Sequence, residues 1–222
     1  IPDTAKTHAF LAGYSSGPFF GTNSAGNVDI AIAKVRLADK VIVTNNIFGG
    51  AGEDLANDAA VDSSDNLYIT GYANSTFGSP VQPYSAGKDA IVAKFTSAGN
   101  LQWLTFVGTA SDDEGSSICL DGSGNLYVLG HTTGSLTGTN AGQEDVVLVK
   151  INSATGAVQW TRQFGTALRD VGGRVFLYNN VLYVAGTTKG DLNGIADSDG
   201  DAASDIFIVK FEVAQVKVPG VV

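Results

Sequence analysis

A chain of 222 residues is long enough to bury one sizeable core, and with 44% hydrophobic residues it is not a disordered chain. A net charge of −9, with only 13 Lys and Arg, leaves no basic stripe, which excludes nucleic acid and an anionic membrane surface as partners. No apolar run approaches the ~18 residues that a bilayer-spanning helix needs, so membrane insertion is not expected.

The first unit opens on "IPDTAKTH", a poor strand, and continues with "AFLAG" from Ala9, "DIAIAKV" from Asp29 and "VIVTNNIF" from Val41. The second holds "NDAAVD" from Asn57, "LYITG" from Leu67, "DAIVAKF" from Asp89 and "LQWLTF" from Leu101. The third holds "SSICLD" from Ser116, "LYVLG" from Leu126, "DVVLVKI" from Asp145 and "VQWTRQF" from Val158. The fourth holds "GRVFLY" from Gly173, "LYVAG" from Leu182 and "DIFIVKF" from Asp205, followed by "EVAQV", which has no turn residue. Asp29, Asp89, Asp145 and Asp205 recur at intervals of 60, 56 and 60 residues.

Each unit is thus four short apolar runs with polar punctuation, and no segment keeps a helical period. "DSSDN" at Asp62 and "DGSGN" at Asp121 join first run to second as hairpin turns, and "TSAGN" at Thr96 and "NSATGA" at Asn152 join third to fourth. The unit reads as a four-stranded antiparallel meander. One meander cannot bury both faces, but radial repetition can, which predicts an all-β fold: a small β-propeller of about four four-stranded blades, with incomplete first and last blades. A parallel solenoid has shorter repeats and no antiparallel hairpins. The units run 1–49, 50–108, 109–165 and 166–222, in one domain.

The pattern "DAIVAKFTSAGNLQW … FVGTASDDEGSSICLDGSGNLYVLG" resembles the bacterial SBBP β-propeller repeat, most strongly in the two middle units. The resemblance implies a propeller on exported or surface proteins of bacteria and no enzyme activity, because the family's motif is made of packing and turn residues. The count departs from the family, since four units are fewer than the seven its name suggests. The chain begins at Ile1 and contains no Met. The expectation is therefore a processed form, exported to the outside or surface of the cell after loss of a leader.

The ends raise the functional question. Either the last run completes blade four and the ring closes, or it leaves the body and adds a strand to a neighbouring molecule through Val213, Gln215, Val216 and Val218. Head-to-tail pairing of that kind would make the protein its own partner. The most specific local motif is "DLNGIADSDGDAASD" from Asp191, in which Asp197, Asp199, Asp201 and Asp205 stand at positions 1, 3, 5 and 9. Closely spaced carboxylates on a Gly-rich loop suit calcium, the one cofactor the sequence suggests. The plain alternative is a solvated acidic loop, with Asp205 only starting a strand as Asp29, Asp89 and Asp145 do.

Asp54, Asp113 and Asp170 also align, and their first reading is as turn caps. Trp103 and Trp160 match in register, which argues for packing between blades over a sugar platform. His131 shares its slot with Tyr14, Tyr72 and Thr187, which argues against a catalytic base. No GxSxG, HExxH, CxxC or Walker loop is present. Cys119, the single cysteine, lies in an apolar run and reads as a buried, inert thiol. The sequence therefore points to a non-catalytic structural or adhesive protein that binds other proteins. The alternative is a calcium-dependent module holding a glycan or peptide on the long loops between second and third strands, and a hydrolase or lyase stands third, with no residue set to support it.

Overall fold

In a computed structural model the protein is described over residues 1–22, 25–192 and 204–213. These residues form fourteen strands and no helix. The first sheet contains β1 (His8–Ser15), β2 (Asp29–Arg36) and β3 (Ile42–Phe48). The second contains β4 (Asp54–Val61), β5 (Leu67–Ala73), β6 (Asp89–Phe95) and β7 (Leu101–Val107). The third contains β8 (Asp113–Leu120), β9 (Asn125–Thr132), β10 (Asp145–Asn152) and β11 (Val158–Phe164). The fourth contains β12 (Asp170–Tyr178), β13 (Val181–Thr188) and β14 (Asp205–Glu212). Every sheet is an antiparallel meander in chain order.

The chain is an all-β propeller of four blades, which do not close into a ring among the described residues. The first strands lie innermost, with β8 packed between β4 and β12 and β1 against β4. Blade one lacks a full inner strand. Residues 1–3 supply a fragment of one, with Phe10 N–H donating to Ile1 O at 2.7 Å and Asp3 N–H to His8 O at 2.9 Å. Blade four lacks an outer strand among the described residues.

Short-range chemistry sets the turns. The Asp62 carboxylate accepts Ser64 N–H at 2.8 Å and Asn66 N–H at 2.9 Å, closing the β4–β5 hairpin, and Asp121 does the same with Ser123 and Asn125. In blade four the Asn179–Asn180 pair replaces this turn, both residues at positive φ, which Asn tolerates best after Gly. The inner strands begin earlier than their apolar runs, at Asp54, Asp113 and Asp170, because a bulge at the third or fourth residue breaks the alternation in each.

Three apolar clusters fill the three seams between blades. Alternation along the third strand divides the work. In β6, Ile91, Ala93 and Phe95 face blade one, and Ala90 and Val92 face blade three. At one end of the first two seams the lysine of the "AK" motif reaches the next blade: Lys34 Nζ donates to Ser97 O and Lys94 Nζ to Ser153 O, both at 3.3 Å. The turn between third and fourth strands thus presents a carbonyl to the blade before it.

Candidate interaction site

The opposite end of each seam is built from aspartates. Asp29, Asp89 and Asp145 open the third strands, and Asp54, Asp113 and Asp170 open the inner strands of the following blades. All six are at most 1% exposed. Each turns Oδ2 back to a backbone N–H four residues upstream, at 2.5 to 2.9 Å: Asp29, Asp89 and Asp145 to Ala25, Ser85 and Ala141, and Asp54, Asp113 and Asp170 to Gly50, Thr109 and Thr166. The turn-capping role anticipated for Asp54, Asp113 and Asp170 is present, and Asp29, Asp89 and Asp145 share it.

The two series meet in space, which no single strand's sequence announces. Asp29 lies beside Asp54, Asp89 beside Asp113 and Asp145 beside Asp170, each pair straddling a seam. A glycine after the fourth strand makes room. A Cβ on Gly49 would strike Asp29 Oδ1 and come within 2.7 Å of Asp54 Oδ2, and one on Gly165 would strike Asp145 Oδ1 and come within 3.0 Å of Asp170 Oδ2. Gly108 abuts Asp89 in the same way. The signal was in the spacing, because each third-strand Asp is followed 24 or 25 residues later by the inner-strand Asp, with that Gly between. The Oδ1 atoms of all six are buried without a hydrogen-bond partner. Burial raises Asp54 to about 6, against the Gly50 N–H, with the neighbouring Asp29 adding to the rise. Burial likewise raises Asp89 to about 6, with Asp113 adding to it.

Above the Asp89–Asp113 pair opens a charged cleft of about 140 Å³, lined by Lys88, Asp112, Glu114, His131, Thr133 and Glu144. Its carboxylates are held in place: Glu114 accepts Asn57 Nδ2 at 2.9 Å, and Glu144 pairs with Arg169 at 2.8 Å. Lys88 lies over the Tyr72 ring at 4.4 Å. Burial pulls His131 below its ordinary pKa, so the ring is neutral at pH 7, and its Nδ1 is buried without a partner.

The face of blade four that points away from blade three is the third feature. Its third strand carries Ile206 and Ile208, 80% and 69% exposed. Their counterparts Val146 and Leu148 are 0% exposed, because blade four covers them. Phe176 and Tyr178 of β12 are also exposed. Blade one's outer face is covered differently: the loop after β1 folds back, Asn45 Nδ2 donating to Phe19 O at 3.4 Å and Thr22 Oγ1 at 3.3 Å, and Ala31 and Ala33 are buried.

Of the candidate calcium ligands, Asp197, Asp199 and Asp201 lie outside the described residues, and Asp205 is an exposed residue opening β14, paired in register with Thr188. Of the candidate assembly residues, Gln215, Val216 and Val218 lie outside the described residues. Val213 follows β14, its N–H donating to Asn180 O at 3.1 Å.

A family model for a β-propeller repeat, SBBP, matches residues 102–137. This stretch is an SBBP repeat. It runs from β7 across the seam through β8 and β9, so the SBBP repeat includes Gly108, Asp113 and the Asp121 turn. The regulatory protein FlaEY of Caulobacter vibrioides is 28% identical in an alignment 139 residues long that covers 59% of this chain and 15% of FlaEY. Among solved structures, a subtype N10 neuraminidase-like protein of A/little yellow-shouldered bat/Guatemala is similar at 13% identity and a TM-score of 0.44, over 82% of this chain and 50% of that one. Hydrazine synthase of Kuenenia stuttgartiensis is similar at 13% identity and a TM-score of 0.36, over 85% of this chain and 61% of that one.

Proposed function

We propose that the protein is a non-catalytic interaction module, an exported or surface-displayed propeller whose partners are proteins, copies of itself included. The observation that carries this reading is the open face of blade four. Burying Ile206 and Ile208 as their counterparts are buried is worth roughly 1.5–3 kcal/mol for each side chain, and a partner sheet packed on that face would supply the burial. The SBBP repeat supports the reading, since the residues it repeats serve turns and seams. Light scattering across a concentration series tests it. The expected outcome is a mass that climbs above 22.8 kDa with concentration and stays at the monomer value in an Ile206→Asp, Ile208→Asp variant. A wild type that stays at the monomer mass throughout would remove self-association.

The cleft above Asp113 favours a second reading, a ligand-binding propeller holding a peptide or glycan on the loop end, with calcium bound at Asp197, Asp199, Asp201 and Asp205. Four carboxylates on a short loop support calcium chemically. Calorimetry with calcium decides it, and no heat at millimolar calcium would remove the ion from the account.

A further inference from the structure

We propose that the seam aspartate pairs Asp29–Asp54 and Asp89–Asp113 each hold a single proton between their two carboxyl groups, so that the first two seams are clamped by acid–carboxylate hydrogen bonds. Six buried Oδ1 atoms lack a donor, and they come two to a seam. Two ionised carboxylates side by side out of water, with no cation against them, is an arrangement proteins avoid by protonation. One proton resolves both faults at once. The protonated carboxyl donates its O–H to the other's carboxylate oxygen, and a pair of charges becomes one. When the proton leaves, it goes to solvent, and two negative charges remain across the seam.

Among the described residues no cation forms an ion pair with these carboxylates: Lys88, which lines the cleft above Asp113, lies over the Tyr72 ring at 4.4 Å. Tyr84 stands near Asp54 and Asp89, held by hydrogen bonds to Asn74 O and Gly87 O at 3.0 and 2.9 Å. Asp112 adds negative charge beside Asp113, and His131 is neutral. At the third seam Gln163 donates Nε2–H to Asp145 Oδ2 at 2.9 Å, while Arg169 is spent on Glu144. Burial also raises Asp113, against hydrogen bonds from Thr132 and Thr109.

The pH response follows. Folded Asp54 and Asp89 keep a proton up to about 6, whereas an unfolded aspartate releases it near 3.8. Between those values the folded state binds more protons, so stability falls as pH rises through the window. This is opposite in sign to an ordinary salt-bridged aspartate.

Urea unfolding at about pH 7.5 and about pH 5 tests the proposal, on wild type and on Asp54→Asn and Asp89→Asn, whose amide N–H replaces the shared proton. Each Asn variant is expected to start higher than the wild type at the upper pH, and acidification is expected to narrow that gap; His131, whose ring burial keeps neutral, lowers the midpoint of wild type and variants alike on acidification and so drops out of the comparison. Carboxyl carbon NMR of the wild type gives a readout that needs no variant: Asp54 and Asp89 should titrate near 6, and Asp113 above the ordinary carboxylate value. A gap between wild type and Asn variants that does not change with pH, or aspartates that all titrate at ordinary values, overturns the proposal. So does a midpoint at about pH 7.5 that calcium or magnesium raises in the wild type but not in the Asn variants, because the pair would then hold a cation instead of a proton.

Discussion

Trp103 Nε1 donates to the carbonyl oxygen of Ser153 in the next blade, 3.2 Å away. The same oxygen receives Lys94 Nζ, so the third-to-fourth turn of blade three is the socket for blade two. Trp103 is 7% exposed, and its loss should open the seam. Trp103→Ala is expected to cost about 3–5 kcal/mol in urea unfolding. Trp103→Phe keeps most of the apolar body and leaves the oxygen with its lysine, so about 1 kcal/mol is expected beyond the ring's lost area. If the two substitutions cost the same, the hydrogen bond and not the packing holds the seam.

Gly156 sits in that socket. Its φ is +75°, and a Cβ there would meet the Trp103 ring at 2.7 Å and the Thr105 hydroxyl at 2.9 Å. Gly122 has a similar φ of +68° with nothing within 4 Å of a Cβ. Gly122→Ala therefore carries only the backbone cost, about 1 kcal/mol. Gly156→Ala adds overpacking of about 1–3 kcal/mol. Unfolding midpoints of the two variants separate the terms.

What the sequence showed of this architecture was whatever a single blade encodes. The Asp62 and Asp121 turns are local, so their dipeptides announce them, and the apolar runs survive in four copies. Trp103 was legible as a seam residue because its register matched Trp160. The seam itself was not legible. Asp54 and Asp29 belong to different blades, and nothing in either strand says that two carboxylates will share one buried end. The inner strands were placed late for a related reason: the bulges near Asn57, Ser116 and Gly173 interrupt the alternation that marks a strand. Nor does the loop after β1 advertise that it lies over blade one's outer face, since Phe19 meets Asn45 only through its backbone carbonyl.

Leu148 and Ile208 occupy the same position of the repeat in adjacent blades, and their costs should differ sharply. Leu148 is enclosed by Val175, Leu182 and Val184 of blade four. Leu148→Ala is expected to cost about 2–5 kcal/mol. Ile208 is 69% exposed, and Ile208→Ala in the dilute monomer should fall within about 0.5 kcal/mol. Repeating the measurement at high protein concentration then reports on the partner: a cost at Ile208 that appears only there places the contact between molecules on the open face of blade four.

Cys119 is expected to behave as a packing residue. Burial, reinforced by the negative charges of Asp121 and Asp58, pushes its thiol up to about 12. The attacking species in thiol chemistry is the thiolate, so at about pH 8 almost none is available. The side chain also packs against the seam between blades three and four, with Trp160 and Leu177 in the same cluster. A disulfide-exchange reagent such as DTNB should therefore leave the folded protein unlabelled at about pH 8 and label one thiol per chain once urea unfolds it. The unfolding midpoint read from labelling should coincide with that read from Trp fluorescence if the seam and the fold are lost together. Rapid labelling without denaturant would show that blade four separates from blade three in the native state, and the open face of blade four would then extend inward to Val146 and Leu148.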